Sequence, residues 1–331
     1  MKHIHEFRKT HKAFDDFDTH YEDDIRPFLI ANEEERKKRK WAGSILAVLL
    51  FPVAVFLVWW LYTSGNASNK KTYQLFWMLP LGGYWLVMYG LIKKTKLKLV
   101  GSIAQHLEWI HKPAIGGNID RLTQLQIFPP YHNFQFEDYI AGKHKNWYFD
   151  IVEIALRRNE GWGKNRRSVK VFQGAILCLE TTKHFEGSAV LSRGLFEPKG
   201  LFANTQMSKH PEFETSKDGF HLYSSKSTVL APLFCSRLVS AVEHLEKRFS
   251  NANVKCILDQ GRLFIVLNTP NRYEVGLLFN KMDDPKRTQK LISEFEDVLD
   301  MLDILLTKRV HPETGESEYP KFRQNVGTKK I

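Results

Sequence analysis

Residues 157–170, RRNEGWGKNRRSVK, hold the side chains of this sequence best suited to a specific task. Six are basic against the single Glu160, and Trp162 stands between Gly161 and Gly163 where a strand-connecting loop would turn. An aromatic ring among cations at a loop tip suits a lipid interface, the ring at headgroup depth and the cations over anionic lipid. The same grouping could contact RNA by charge and stacking, or a protein partner, and a solvated hairpin needs no occupant at all. Catalytic spacing is missing. No GxxxxGK[ST], HExxH, GxSxG or GxGxxG occurs, which removes the usual support for phosphate-loop, zincin, serine-hydrolase and dinucleotide chemistry. The thirteen histidines are scattered, without Cys or carboxylate partners at ligand spacing, so no metal and no other cofactor is expected. Asp15-Asp16, Asp23-Asp24 and Asp283-Asp284 lie in polar stretches and read as exposed charge. Cys178, Cys235 and Cys256 have apolar neighbours, no CxxC partner and an odd count, which reads as buried free thiols in a reducing compartment.

The remaining basic clusters bracket two apolar runs. Residues 41–62 and 75–92 contain no charged side chain, and at about 1.5 Å per helical residue the first reaches roughly 33 Å, enough to cross a hydrocarbon core. A stretch of forty residues, twenty of them charged, precedes it and it is too long for a signal-peptide core, so it is expected to remain in the mature protein. Only twelve residues separate the runs, which makes them a transmembrane helical hairpin; Asn66-Ala67-Ser68 in that turn reads as a chance glycosylation match. Arg36, Lys37, Lys38, Arg39 and Lys40 flank one outer end, Lys93, Lys94, Lys96 and Lys98 the other, and Lys70 and Lys71 the turn. The bias places both termini in the cytoplasm. Neither run contains Asp, Glu, Lys, Arg or His, which disfavours a transporter. Gly43 with Ala47 would permit close helix approach, within the chain or in a homo-oligomer, and Pro52 and Pro80 would kink the spans.

Net charge is +11, yet residues 1–40 carry ten basic and ten acidic side chains and cancel, while residues 41–100 carry six basic and none acidic. More than half of the excess therefore lies beside the bilayer, which favours anionic lipid as partner and gives no expectation of nucleic acid. Within residues 1–40, Phe7, Phe14, Phe17, Tyr21, Ile25 and Phe28 predict an amphipathic helix, bent or ended at Pro27. A juxtamembrane helix over 93–112 with Leu97, Val100, Ile103, Leu107 and Ile110 on one stripe is expected to pack against it as a stalk. A Pro/Gly-rich linker, 111–130, precedes an α+β domain over 113–309. In that domain strands are expected at 148–156, 169–181 and 189–191, with a hairpin of VKCILD and RLFIVL about Gln260-Gly261. Helices follow at 232–249 and after Pro285, the latter with Leu291, Phe295, Val298, Leu302 and Leu305 on one face, and a mobile tail at 310–331.

The segment VFQGAILCLETTK, residues 171–183, resembles the "vFxGxf" segment of the bacterial family known as domain of unknown function 3137, with Phe172 and Gly174 as the sharpest matches. The order of parts is similar too. The resemblance implies a bacterial inner-membrane protein with two spans, a cytoplasmic domain and no assigned reaction, so it carries over no catalytic residue. The expectation from sequence is a multi-pass inner-membrane protein whose α+β domain binds or scaffolds at the membrane surface. The alternative is a membrane-associated enzyme acting on a lipid or nucleotide. Membrane-surface contact is assigned to the two collars above and to Arg157, Arg158, Trp162, Lys164, Arg166 and Arg167.

Overall fold

The structure, a computed structural model, describes residues 6–64, 76, 78–113, 119–163, 166–180, 187–193, 208–209, 219–224, 236–249, 253–276, 278–306, 309–310 and 317–318. It is α+β. Two units divide it: Met1–His106 with Tyr273–Ser293, and Leu107–Arg272 with Glu294–Ile331. Tyr273–Ser293, inside the expected domain over 113–309, groups with the N-terminal helices.

In the first unit a 3-10 turn, Lys12–Phe14, is capped by His11, whose Nδ1 accepts from the Ala13 amide at 3.1 Å. Helix α1 (Phe17–His20) widens into a π-type turn, Tyr21–Ile25, before α2 (Arg26–Ala31). Pro27 stands in the first turn of α2, where its missing N–H costs little, so it neither ends nor breaks the helix. The interruption comes instead at Asn32, which donates from Nδ2 to the Phe28 carbonyl and receives Lys94. Phe14, Phe17, Tyr21 and Ile25 are fully buried, each contributing on the order of 1.5–3 kcal/mol. The stripe continues through Leu29, four residues beyond Ile25, while Phe28 lies half-buried beneath the Lys94 ammonium at 5.7 Å.

Helix α3 (Glu33–Thr63) runs unbroken through Pro52, and α4 (Leu79–His106) returns antiparallel to it. Gly43 lies against the Tyr84 ring and Gly83 against Leu46 and Leu50; a Cβ on Gly83 would come within 2.7 Å of the Leu50 side chain. The small residues thus seat one helix on the other within the chain. Near its C-terminus α4 buries Leu99, Val100, Ile103 and Ala104. His20 contacts Ser102, and His106 stacks on Phe14, so the expected packing of this helix on the N-terminal segment holds. Its extent does not: Leu97 is exposed, α4 ends at His106, and Ile110 begins a strand. From Tyr273–Ser293 the Arg287 guanidinium ties the carbonyls of Val275, Lys281 and Met282 together.

The second unit is built on an antiparallel sheet in the order β1-β2-β3-β4-β9-β8-β5-β7-β6. Its strands are β1 (Ile110–Pro113), β2 (Asn133–His144), β3 (Trp147–Glu160), β4 (Arg167–Glu180), β5 (Ser188–Arg193), β6 (Ser208–Lys209), β7 (Phe220–Ser224), β8 (Lys255–Asp259) and β9 (Arg262–Asn268). The β8–β9 turn is the expected one, with Gln260 and Gly261 both at positive φ (48° and 78°). The expected linker, in contrast, supplies core. Ile119, Leu122, Leu125, Ile127 and Phe128, around the short helix α5 (Asp120–Gln124), pack on Val152, Ile154, Leu156, Ile176 and Ile257. Arg121 forks onto the buried Asp259 at 2.8 and 2.9 Å, and Lys255 donates to the Ile127 carbonyl, so this segment is pinned as well as buried.

Helix α6 is described over Ser236–Arg248, and residues 232–235 lie outside the described residues. Helix α7 (Pro285–Leu306) places Phe295, Val298, Leu299 and Leu302 in the core of the second unit. Of the expected tail over 310–331, Val310 and Ser317–Glu318 take part in a two-residue ladder that starts at Arg309, and the rest lies outside the described residues, as do residues 65–74 of the expected turn.

Candidate functional site

The β3–β4 hairpin is longer than the strands beside it. β4 pairs with β9 only from Gly174 onward, so residues 167–173 run on past β9 for about 23 Å at ~3.3 Å per residue. On the other edge β2 begins at Asn133, opposite Arg157. His132 adds one further tie, its amide donating to the Arg157 carbonyl while its Nδ1 accepts from the Asn159 amide. A register shift at Leu156/Arg157 twists the ribbon where it leaves the sheet. Gly174 explains the departure point: a Cβ there would run into the Leu267 carbonyl and the Phe172 ring, so the two residues that carry the family resemblance form the root of this arm.

At the tip Gly161 (φ 84°) and Gly163 (φ 57°) supply the left-handed backbone that the turn needs. Trp162 between them is 93% exposed. Glu160 accepts from Arg158 at 2.7 Å and from Arg167 at 3.1 Å across the ribbon, and these contacts hold its carboxyl below the usual range. Arg157 and Arg166 are exposed and carry no ion pair among the described residues. Lys164 lies outside the described residues. The arm is therefore a net-positive ribbon with an apolar point.

The basic collars of the first unit are arranged differently. Arg36 is buried, paired to Glu33 at 2.7 and 2.9 Å and donating to the Leu278 and Phe279 carbonyls. Glu33 is correspondingly pulled down to about 2, chiefly by Arg36. Lys37 pairs with Glu34, Arg39 and Lys94 with Glu35, Lys96 with Glu274, and Lys98 with Asp24. Six of the nine collar residues thus meet a carboxylate, which leaves Lys38, Lys40 and Lys93 exposed with no ion pair among the described residues. Asp24, read from sequence as merely exposed charge, is one of these partners and also accepts from Ser102.

Sequence reading passed over Asp150, an acidic residue inside the apolar run YFDIVEIAL. It lies opposite Cys178 in the β3–β4 register, and burial raises its carboxyl to about 6, with Arg262 opposing and Glu180 adding to the rise. Cys178 and Cys256 are buried free thiols, pushed up by that burial, the reverse of what a nucleophilic cysteine requires. Cys235 lies outside the described residues. His111 pairs with the buried Asp138 at 2.8 Å, and His144 with Asp303.

No protein-family model matches the chain, and no curated protein does. The likeness to domain of unknown function 3137 therefore rests on the residues quoted for it. Among solved structures, the crystal structure of the mycobacterial trehalose monomycolate transport factor A, TtfA, is similar over 63% of this chain and 95% of that chain, at 10% identity and a TM-score of 0.30. Similarity at that level carries no argument about function.

Proposed function

We propose that the chain is an integral protein of the bacterial inner membrane. In this reading α3 and α4 cross the bilayer as an antiparallel hairpin with both termini cytoplasmic, and the α+β unit acts as a binding or scaffolding module at the membrane surface. One observation carries it. Helix α3 contains a stretch long and apolar enough to cross a membrane, and only 6% of that stretch is buried inside the protein. A core helix of a water-soluble protein hides such a stretch; here Val48, Phe56, Trp59 and Trp60 all face outward. Trp41 and Tyr62 stand exposed at its two ends, at the depth where aromatic belts anchor a span. Lys38, Lys40 and Lys93 beside the outer ends supply the inward-orienting charge.

The test is alkaline extraction of membranes followed by cysteine accessibility. The full chain is expected to stay in the carbonate pellet. Ser64→Cys should react with an impermeant maleimide added to the periplasm, whereas Lys40→Cys should react only after the cells are opened. Release into the carbonate supernatant, or labelling in the opposite order, overturns the reading.

A further inference from the structure

We propose that the β3–β4 arm docks on an anionic lipid surface, with Trp162 entering the headgroup layer and Arg157 and Arg166 lying over the lipid phosphates. The inference rests on the reading of this chain as a bilayer-anchored protein and adds to it a second, separate lipid contact.

Three features of the arm point the same way. Its reach comes first: β4 outruns β9 by seven residues, and on the other edge β2 with His132 flanks β3 only as far as Asn159, so the end from Glu160 to Arg167 projects beyond both neighbours. Its stiffness follows from Glu160, which bridges Arg158 on its own strand to Arg167 on the facing one, and from His132 bracing the base. A bare two-stranded ribbon is only marginally stable in water, and here β2 with His132 flanks β3 as far as Asn159, which leaves only the short end unsupported. The third is chemistry. Positive φ at Gly161 and Gly163 already makes the turn, so Trp162 is not needed for geometry, and its ring is left 93% exposed. Indole is an amphipathic ring suited to an interface that is apolar on one side and wet on the other.

Charge selects the occupant. Arg157 and Arg166 face solvent without an ion pair among the described residues, and Arg167 remains largely exposed despite its contact with Glu160. Each cation close to an anionic bilayer gains, and the gain decays within a Debye length. A flat surface of phosphates suits a ribbon with a single apolar point.

The experiment uses the full chain carrying an environment-sensitive fluorophore at Trp162→Cys, reconstituted into nanodiscs of phosphatidylcholine alone or with 30% phosphatidylglycerol. Cys178 and Cys256 are buried and stay unlabelled under native conditions, and Cys235→Ser is added so that the label reports position 162 alone. Emission is expected to shift to the blue, with at least a two-fold gain in intensity, in the anionic discs alone. The shift should vanish between 0.1 and 1 M salt, where the Debye length contracts from about 10 Å to about 3 Å, and in the Arg157→Glu/Arg166→Glu background. Equal emission in both disc types overturns the proposal. So does a blue shift produced by polyuridylate in neutral discs, which would assign the arm to nucleic acid. Incorporation into discs is scored separately by co-elution. A chain that fails to incorporate defeats the anchor, and its arm is then tested by adding phosphatidylglycerol vesicles to the unincorporated chain. A chain that incorporates with a water-exposed label defeats the docking alone.

Discussion

The collars of α3 and α4 and the arm of β3–β4 are alike in sequence, each a dense run of lysine and arginine. Their electrostatics differ. In the collars most cations meet a carboxylate from a neighbouring turn or helix, and Arg36 is taken inside the protein altogether. In the arm a single glutamate serves two arginines, and Arg157 and Arg166 face water. Charge counted along a chain is therefore not charge presented to a partner. Helices place acid and base three or four residues apart on one face, where they pair, whereas an isolated ribbon has few neighbours to offer.

The largest test of this contrast acts at the root of the arm. Gly174→Val drives a side chain into the Leu267 carbonyl and should destabilise the second unit by about 4 kcal/mol or more. The check is the rate at which Cys178 and Cys256 become reactive toward a thiol reagent, expected to rise by orders of magnitude; an unchanged rate would mean that β4 can leave β9 elsewhere. Next comes the buried member of the collar. Arg36→Ala strands Glu33 and two carbonyls and should cost about 3 kcal/mol, whereas Lys40→Ala should stay within about 0.5 kcal/mol, both read from thermal unfolding in detergent.

Acid acts on Glu33 and Asp150 with opposite sign. Glu33 is held near 2 by Arg36, so its contribution to the first unit is present above the ordinary carboxylate range and is lost as pH falls from about 4.5 toward 2. Asp150, raised to about 6 by burial, does the opposite: its ionisation penalises the second unit as pH rises from about 4 through 6. In amide exchange of the second unit, the stability gained by Asp150→Asn over the parent should therefore grow as pH rises from 4 to 6, and a difference independent of pH would mean that Asp150 is not the titrating group. The smallest expected effect belongs to Trp162→Ala. With the ring almost wholly exposed, unfolding should shift by no more than about 0.5 kcal/mol, and a larger loss would mean that the tip has a structural task.

Much of the fold was legible in local pattern. The β8–β9 hairpin follows from two β-rich runs about Gln260-Gly261, and the apolar face of α7 from Leu291, Phe295, Val298 and Leu302 at helical spacing. The aromatic stripe of the N-terminal segment was legible to Ile25 and then slipped by one residue, because the buried positions run in steps of four from Tyr21 to Leu29 while the turn between them is π-type. The stretch 111–130 misled because Pro and Gly mark turns without saying whether the apolar residues between them are covered. Ile119, Leu122 and Phe128 are buried by strands that lie far along the chain. For the candidate site, the tip around Trp162 was legible from its glycines and cations, but the length of the arm was not, since it depends on where β2 and β9 stop.

Sequence alone determined the apolar run of α3, its length, the flanking charge, and the turn that exposes Trp162. These are properties of contiguous residues, set by helical rise and by the φ that glycine permits. Tertiary structure decided which lysines and arginines remain free, which loop becomes core, and how far β4 outruns its neighbours. The physical reason is that ion pairing, burial and strand pairing each need two segments brought together, and one segment read by itself does not contain its partner.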